Sequence, residues 1–253
     1  MTVMPHWSAT RFMLYEQCPL LFKERYVDGV AVAPTEAMCF GSAVHLGLEA
    51  HYQGQDGERA FRAAWKQYTK ELGTVDRSLT ATGLNLLDQV FALELNGTPE
   101  RGFSLDTNAD LGAPIVGAVD LWDEAHHVIY DFKTTVGAWS QLRAQKEVWQ
   151  PCLYSHAFWT ETDVWPSFEY IVLNRATGAL SRFRREWTEQ EFLEQMGAAW
   201  DRMRLIANNV AADRLTCNGQ HGYCPECGDR WQHDHVCGPS TDRVRLKREE
   251  AWA

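Results

Sequence analysis

The stretch VIYDFKTT, residues 128–135, constrains this chain most. Its β-branched and aromatic residues are those of a strand, yet Asp131 and Lys133 sit in its middle. Side chains alternate along a strand, so Asp131 and Lys133 share one face, while Val128, Tyr130 and Phe132 share the other. By itself the pair is a surface salt bridge or half of an active site. The preceding run, PIVGAVDLWD (114–123), brings the two readings level. It carries Asp120 on the face of Val116 and Ala118, and the short connection DEAHH turns the chain back. Asp120 and Asp131 are therefore expected side by side on an antiparallel pair. Two adjacent carboxylates repel. A cation between them removes the repulsion, and hard oxygen ligands suit Mg²⁺ or Mn²⁺. Lys133 then points at the same site, where its ammonium can stabilise a developing hydroxide or a phosphate oxygen.

The flanking pattern predicts an α/β protein with a helical N-terminal elaboration. SATRFMLYEQCPLLFKERYVDG reads as one helix, capped by Ser8 and stopped at Gly29. Further helices are predicted at 38–53, 57–72 and 77–96. Strands follow within 102–107, 114–123 and 127–135, then a helix over 139–160 and strands over 165–174 and 179–187. Thr188 caps a last long helix. One domain over 1–253 is expected, with a helical part at about 8–98, a core at 99–212, a Cys-rich segment at 213–240 and a charged tail at 241–253. There is no internal repeat and no low-complexity linker.

The bulk numbers narrow the class. No apolar run approaches the roughly 18 residues that span a bilayer, and the N-terminus lacks the basic start and apolar core of a signal peptide. A soluble protein of the cytoplasm is expected. The formal net charge of −10 argues against indiscriminate nucleic-acid binding. It leaves room for an enzyme whose acidic ligands hold cations, and Arg182, Arg184 and Arg185 supply local positive charge.

Two further pieces are weak alone. Gly41, His45 and Glu49 recur every four residues on one helix face, and so do Gln150 and Tyr154. Each alone is an ordinary helix surface. Their order is not ordinary. G-x-x-x-H (Gly41, His45), G-x-x-D (Gly117, Asp120), D-x-K (Asp131, Lys133) and Q-x-x-x-Y (Gln150, Tyr154), opened by SATRFMLYEQCP, resemble the PD-(D/E)XK nuclease superfamily. The branch they look most like is that of the RecB-like exonucleases, which includes CRISPR-associated and phage enzymes. The resemblance runs from residue 8 to about 237. It implies a restriction-endonuclease-like core, a central mixed sheet flanked by helices, and a metal-dependent deoxyribonuclease, an exonuclease before an endonuclease. By the same resemblance Asp120, Asp131, His45 and the main-chain carbonyl of Phe132 hold Mg²⁺ or Mn²⁺. Lys133 positions or activates the attacking water. Gln150 and Tyr154 hold the DNA backbone. Asp131 departs from the Glu that many relatives carry. DNA, as single strands or duplex ends, is the implied partner, in recombination, repair, phage DNA processing or CRISPR adaptation. A helicase, recombinase or CRISPR protein is an open further partner. No G-x-x-x-x-G-K-[ST] loop is present, so any motor is expected on a separate chain. The alternative is a non-catalytic DNA-binding or assembly module that keeps the nuclease fold.

The chain has seven cysteines, and Cys217, Cys224, Cys227 and Cys237 crowd its end. In an intracellular setting that density points to metal rather than disulfides. Within the segment alone, CPEC with His221, His233 and His235 suits zinc. In one subset of the family, a Cys-Pro near the N-terminus joins three later cysteines around a [4Fe–4S] cluster. The resemblance thus implies Cys18 with Cys224, Cys227 and either Cys217 or Cys237. Structural zinc is the alternative. Cys39 and Cys152 are expected to be buried small residues.

Overall fold

The computed structural model describes residues 4–31, 33–73, 76 and 78–216. Cys217, Cys224, Cys227, Cys237 and the charged tail lie outside the described residues. In chain order the elements are α1 (Ala9–Gln17), α2 (Pro19–Tyr26), α3 (Glu36–Tyr52), α4 (Gly57–Leu72), α5 (Ser78–Phe91), β1 (Thr98–Leu105), α6 (Asn108–Leu111), β2 (Ile115–Asp123), β3 (Val128–Thr135), α7 (Gln141–Lys146), α8 (Trp149–Thr162), β4 (Ser167–Asn174), β5 (Ala179–Arg185) and α9 (Glu189–Ala211).

Two predicted helices are each divided in two. The first breaks at Cys18, whose backbone is extended at φ −160° and ψ 106°. Pro19 follows, and a proline disfavours helical backbone in the residue before it. Cys18 then caps α2, its Sγ accepting the Leu21 N–H at 3.4 Å. The helix expected over 139–160 is α7 and α8, parted where Glu147 is extended. Pro151 accounts for the restart. It lacks an N–H and is tolerated only in a first turn, and it falls in the first turn of α8. α9 begins as expected. Thr188 Oγ1 accepts the Glu191 N–H at 3.2 Å, and Glu191 returns its carboxylate to the Thr188 N–H at 2.9 Å, a capping box.

Two compact units emerge. The first comprises Ala33–Ser104 and Gly117–Met196 and holds nearly all of a five-stranded mixed sheet in the order β1-β2-β3-β4-β5. β2 and β3 are antiparallel, β3 and β4 parallel, β4 and β5 antiparallel. Parallel neighbours need a crossover, which α7 and α8 supply. The central strands β3 and β4 are the most buried, in keeping with their near-continuous apolar sequence. On one face Phe40, Val44, Leu48, Phe61 and Trp65 pack with Leu121, Tyr130, Phe132 and Ile171. On α8, Phe158 meets Trp122 at 4.5 Å and Tyr154 meets Phe168 at 6.4 Å between ring centres. Close approach is built with glycine. A Cβ on Gly57 would lie 2.5 Å from the Gly47 carbonyl, which seats α4 directly on α3. A Cβ on Gly41 would lie 2.9 Å from Thr134 Oγ1, which brings α3 down onto β3.

Among the described residues, the second unit is drawn from residues 4–31, 105–116 and 197–216. Trp7 stacks on Phe12 and Phe22, at 5.1 and 6.1 Å, and bridges in parallel to Ile115. Arg202 pairs with Glu16, and Asn209 Nδ2 donates to Tyr15 Oη at 3.0 Å. Among the described residues no helix is long and apolar enough to cross a membrane.

Candidate active site

Every side chain of the site belongs to the sheet-bearing unit. Thr35 caps α3, accepting the Met38 N–H, and Phe40, Ala43, Val44, Gly47 and Leu48 bury one face of that helix. His45 is left on its flank, half-buried, with Nδ1 3.3 Å from Asp120 Oδ1. The Phe132 ring lies between His45 and Tyr52, at 6.5 and 6.2 Å.

The β2–β3 register runs from Asp123↔Val128 to Leu121↔Tyr130, which carries Asp120 to the level of Asp131. The regular ladder is replaced there by a side chain, since the Phe132 N–H donates to Asp120 Oδ2 at 2.6 Å. Asp131 is 2% exposed. Its Oδ2 is ion-paired with Lys133 Nζ at 2.5 Å. A buried carboxylate is costly unless a cation meets it, and here the Lys133 ammonium does.

The charges are tightly linked. Burial, opposed by the Lys133 ammonium and reinforced by Asp120, pushes the Asp131 carboxyl up to about 6. Burial also acts against ionised Asp120, but His45, Lys133 and the Phe132 N–H outweigh it and hold that carboxyl below its ordinary value. Burial would depress His45, yet the charge and hydrogen bond of Asp120, helped by Asp131, raise it. Neighbouring carboxyls driven in opposite directions mark a place that tolerates one extra negative charge poorly and would hold a divalent cation well.

On α8, Gln150 Nε2 donates to Tyr154 Oη at 3.3 Å. Tyr154 is buried, edge-on to Phe103 at 5.4 Å, and burial beside Asp131 raises its phenol pKa. Tyr154 thus orients Gln150, the more exposed of the two. Gly117 makes room for this aromatic pair, since a Cβ there would lie 2.6 Å from Phe103 Cζ and 3.5 Å from Tyr154 Cε1.

One residue at the site has no counterpart in the sequence motifs. Glu100, on β1, brings a carboxylate to His45 and Asp120, and one ligand atom from each of the three lies within 4.8 Å of the others. An open cleft of about 500 Å³ beside them is lined by Gly41, Ser42, His45, Glu49, Tyr68 and Glu100. Glu100 lies outside the strand expected within 102–107; β1 begins earlier, at Thr98, and this is what brings Glu100 onto the sheet. Cys18, Cys39 and Cys152 are buried and not in disulfides.

The sequence matches the profile of the PD-(D/E)XK nuclease superfamily over residues 6–232. A solved structure described as a "Putative exonuclease" from Eubacterium rectale superposes with a TM-score of 0.66, over 96% of this chain and 92% of that one, at 12% identity. It shares the fold. A second solved structure, SSO0001, gives a TM-score of 0.36 over 92% of this chain and 96% of its own, at 13% identity. No curated protein matches the chain.

Proposed function

Because this chain belongs to the PD-(D/E)XK nuclease superfamily, we propose that it is a divalent-metal-dependent deoxyribonuclease of the RecB-like kind. It would hydrolyse phosphodiester bonds from DNA ends in the cytoplasm of a bacterial or phage-infected cell. Nucleases of this superfamily use divalent metals. The observation that carries the proposal is the gathering of charged groups, with buried Asp131 paired to Lys133 and set beside Asp120, which His45 meets at 3.3 Å. His45, Asp120, Asp131 and the Phe132 carbonyl would hold Mg²⁺ or Mn²⁺. When bound, the cation acidifies water and polarises a phosphoryl oxygen.

The remaining work falls to the chain's own groups. Lys133, 28% exposed at its side chain and seated on Asp131, has its ammonium where it can orient the attacking water and stabilise charge on a phosphate oxygen. Gln150, oriented by Tyr154, donates to the DNA backbone. The Cys-rich segment would bind a [4Fe–4S] cluster with Cys18, or zinc, and the support for either is the sequence pattern alone. Absorption spectra and metal analysis of anaerobically purified protein distinguish the two.

The test of function is degradation of end-labelled linear single-stranded and duplex DNA and of a closed circle, with Mn²⁺ or EDTA. Loss of linear DNA with Mn²⁺ only, and an intact circle, is expected. Cutting of the circle would make the enzyme an endonuclease. No cutting of any substrate would leave a DNA-binding module.

A further inference from the structure

The proposed ligand set leaves two carboxylates of the cleft, Glu49 and Glu100, without a role. We infer that Glu100 is a further ligand of the active-site cation, supplied from β1. The inference rests on the nuclease reading of this site.

Three observations carry it. First, the spacing fits a single ion. Ligand oxygens about 2.1 Å from a small divalent cation stand at most about 4.2 Å apart across it. The ligand atoms of His45, Glu100 and Asp120 lie within 4.8 Å of one another, so a contraction of a few tenths of an ångström closes the shell. Second, Glu100 has no ion pair among the described residues. The neighbouring guanidinium of Arg101 is engaged with Glu161 and does not neutralise it. Asp131, 2% exposed beside Asp120, is met by the single ammonium of Lys133 at 2.5 Å, so the cluster of carboxylates still outnumbers its cations. Third, the backbone at Glu100 is left-handed, with φ +49° inside a strand. A non-glycine residue there costs about 1 kcal/mol or more, and such strain gathers at functional sites. Glu49 lines the same cleft, but it already accepts a hydrogen bond from Gln53 at 2.9 Å. The resulting shell, three carboxylates and one imidazole, is that of a hard divalent cation.

The test is calorimetric titration with Mn²⁺, without DNA, of the wild type and of Glu100→Gln, Glu100→Gly, Glu49→Gln and Asp120→Asn. Loss of a partner outside a ligand shell already weakens metal binding about ten- to a hundredfold, so Glu100→Gln is expected to weaken it at least about tenfold. Glu49→Gln, the loss of one screened charge, should change it by about twofold. Glu100→Gly also relieves the left-handed backbone, so it should fold at least as stably as the wild type and still bind weakly. Binding by folded Glu100→Gln or Glu100→Gly within about twofold of the wild type would overturn the inference, as would an equal loss in Glu49→Gln. If the wild type takes up no Mn²⁺, or Asp120→Asn binds as the wild type does, the metal site itself is wrong and the inference falls with it.

Discussion

Replacing Asp131 with Asn is expected to stabilise the metal-free protein and to abolish cleavage. The carboxyl is 2% exposed, and its pKa rises from 3.8 to about 6, chiefly by burial. An acid whose pKa is higher in the folded state binds its proton more tightly there. Its favourable contribution is complete below 3.8 and is lost as pH rises through about 6. Each tenfold gain in proton affinity is worth about 1.4 kcal/mol, so ionised Asp131 costs about 3 kcal/mol at pH 8. An amide carries no such cost. In EDTA at pH 8, Asp131→Asn should therefore melt about 6–12 °C above the wild type. At pH 4 and below the two should converge. Mn²⁺ should raise the melting temperature of the wild type and leave the variant nearly unchanged. Denaturation from pH 3 to 8, with EDTA or Mn²⁺, reads all of this. A gain that is absent at pH 8, or equally large at pH 3, would refute the assignment of a buried, ionised carboxylate awaiting a cation.

Other consequences follow from the same geometry. Below neutral pH, Mn²⁺ binding should release protons from His45 and Asp131, both raised, and the release should shrink toward pH 8. Calorimetry in buffers of different ionisation enthalpy measures it, and a buffer-independent heat at pH 6 would count against those ligands. Gly57→Ala forces a methyl to 2.5 Å from the Gly47 carbonyl, so it should cost about 1–3 kcal/mol in urea unfolding. An unchanged midpoint would mean that α3 and α4 part freely. Arg182→Met leaves Glu169, 3% exposed, without its bidentate partner. A loss of about 2 kcal/mol is expected, below that of a fully dry pair because Arg182 stays partly exposed. No loss would show that water reaches Glu169.

Much of this fold is legible from local pattern. The β2–β3 hairpin is visible because alternation separates Asp131 and Lys133 from Val128, Tyr130 and Phe132, and because DEAHH is too short for anything but a turn. The start of α9 is visible because Thr188 and Glu191 carry both halves of a capping box. The division at Cys18 is also written locally, in Pro19, but the apolar spacing continues across it and hides it. Glu100 is a different case. Its place beside His45 and Asp120 depends on how β1 lies against β2 and on a left-handed backbone, and no residue pattern near PERG encodes either. The pairing of Asp131 with Lys133 is partly a matter of state, since without a cation the ammonium is the nearest positive charge.

The most direct test of the site compares single-turnover cleavage of end-labelled linear DNA by the wild type and Lys133→Ala, both in Mn²⁺. Folding is checked by circular dichroism and Mn²⁺ uptake by calorimetry. The expected result is retained fold and metal binding with cleavage slowed at least about a hundredfold, the scale of losing one charge-stabilising group. Cleavage by folded Lys133→Ala at the wild-type rate would contradict the placement of the chemistry at Asp120, Asp131 and Lys133.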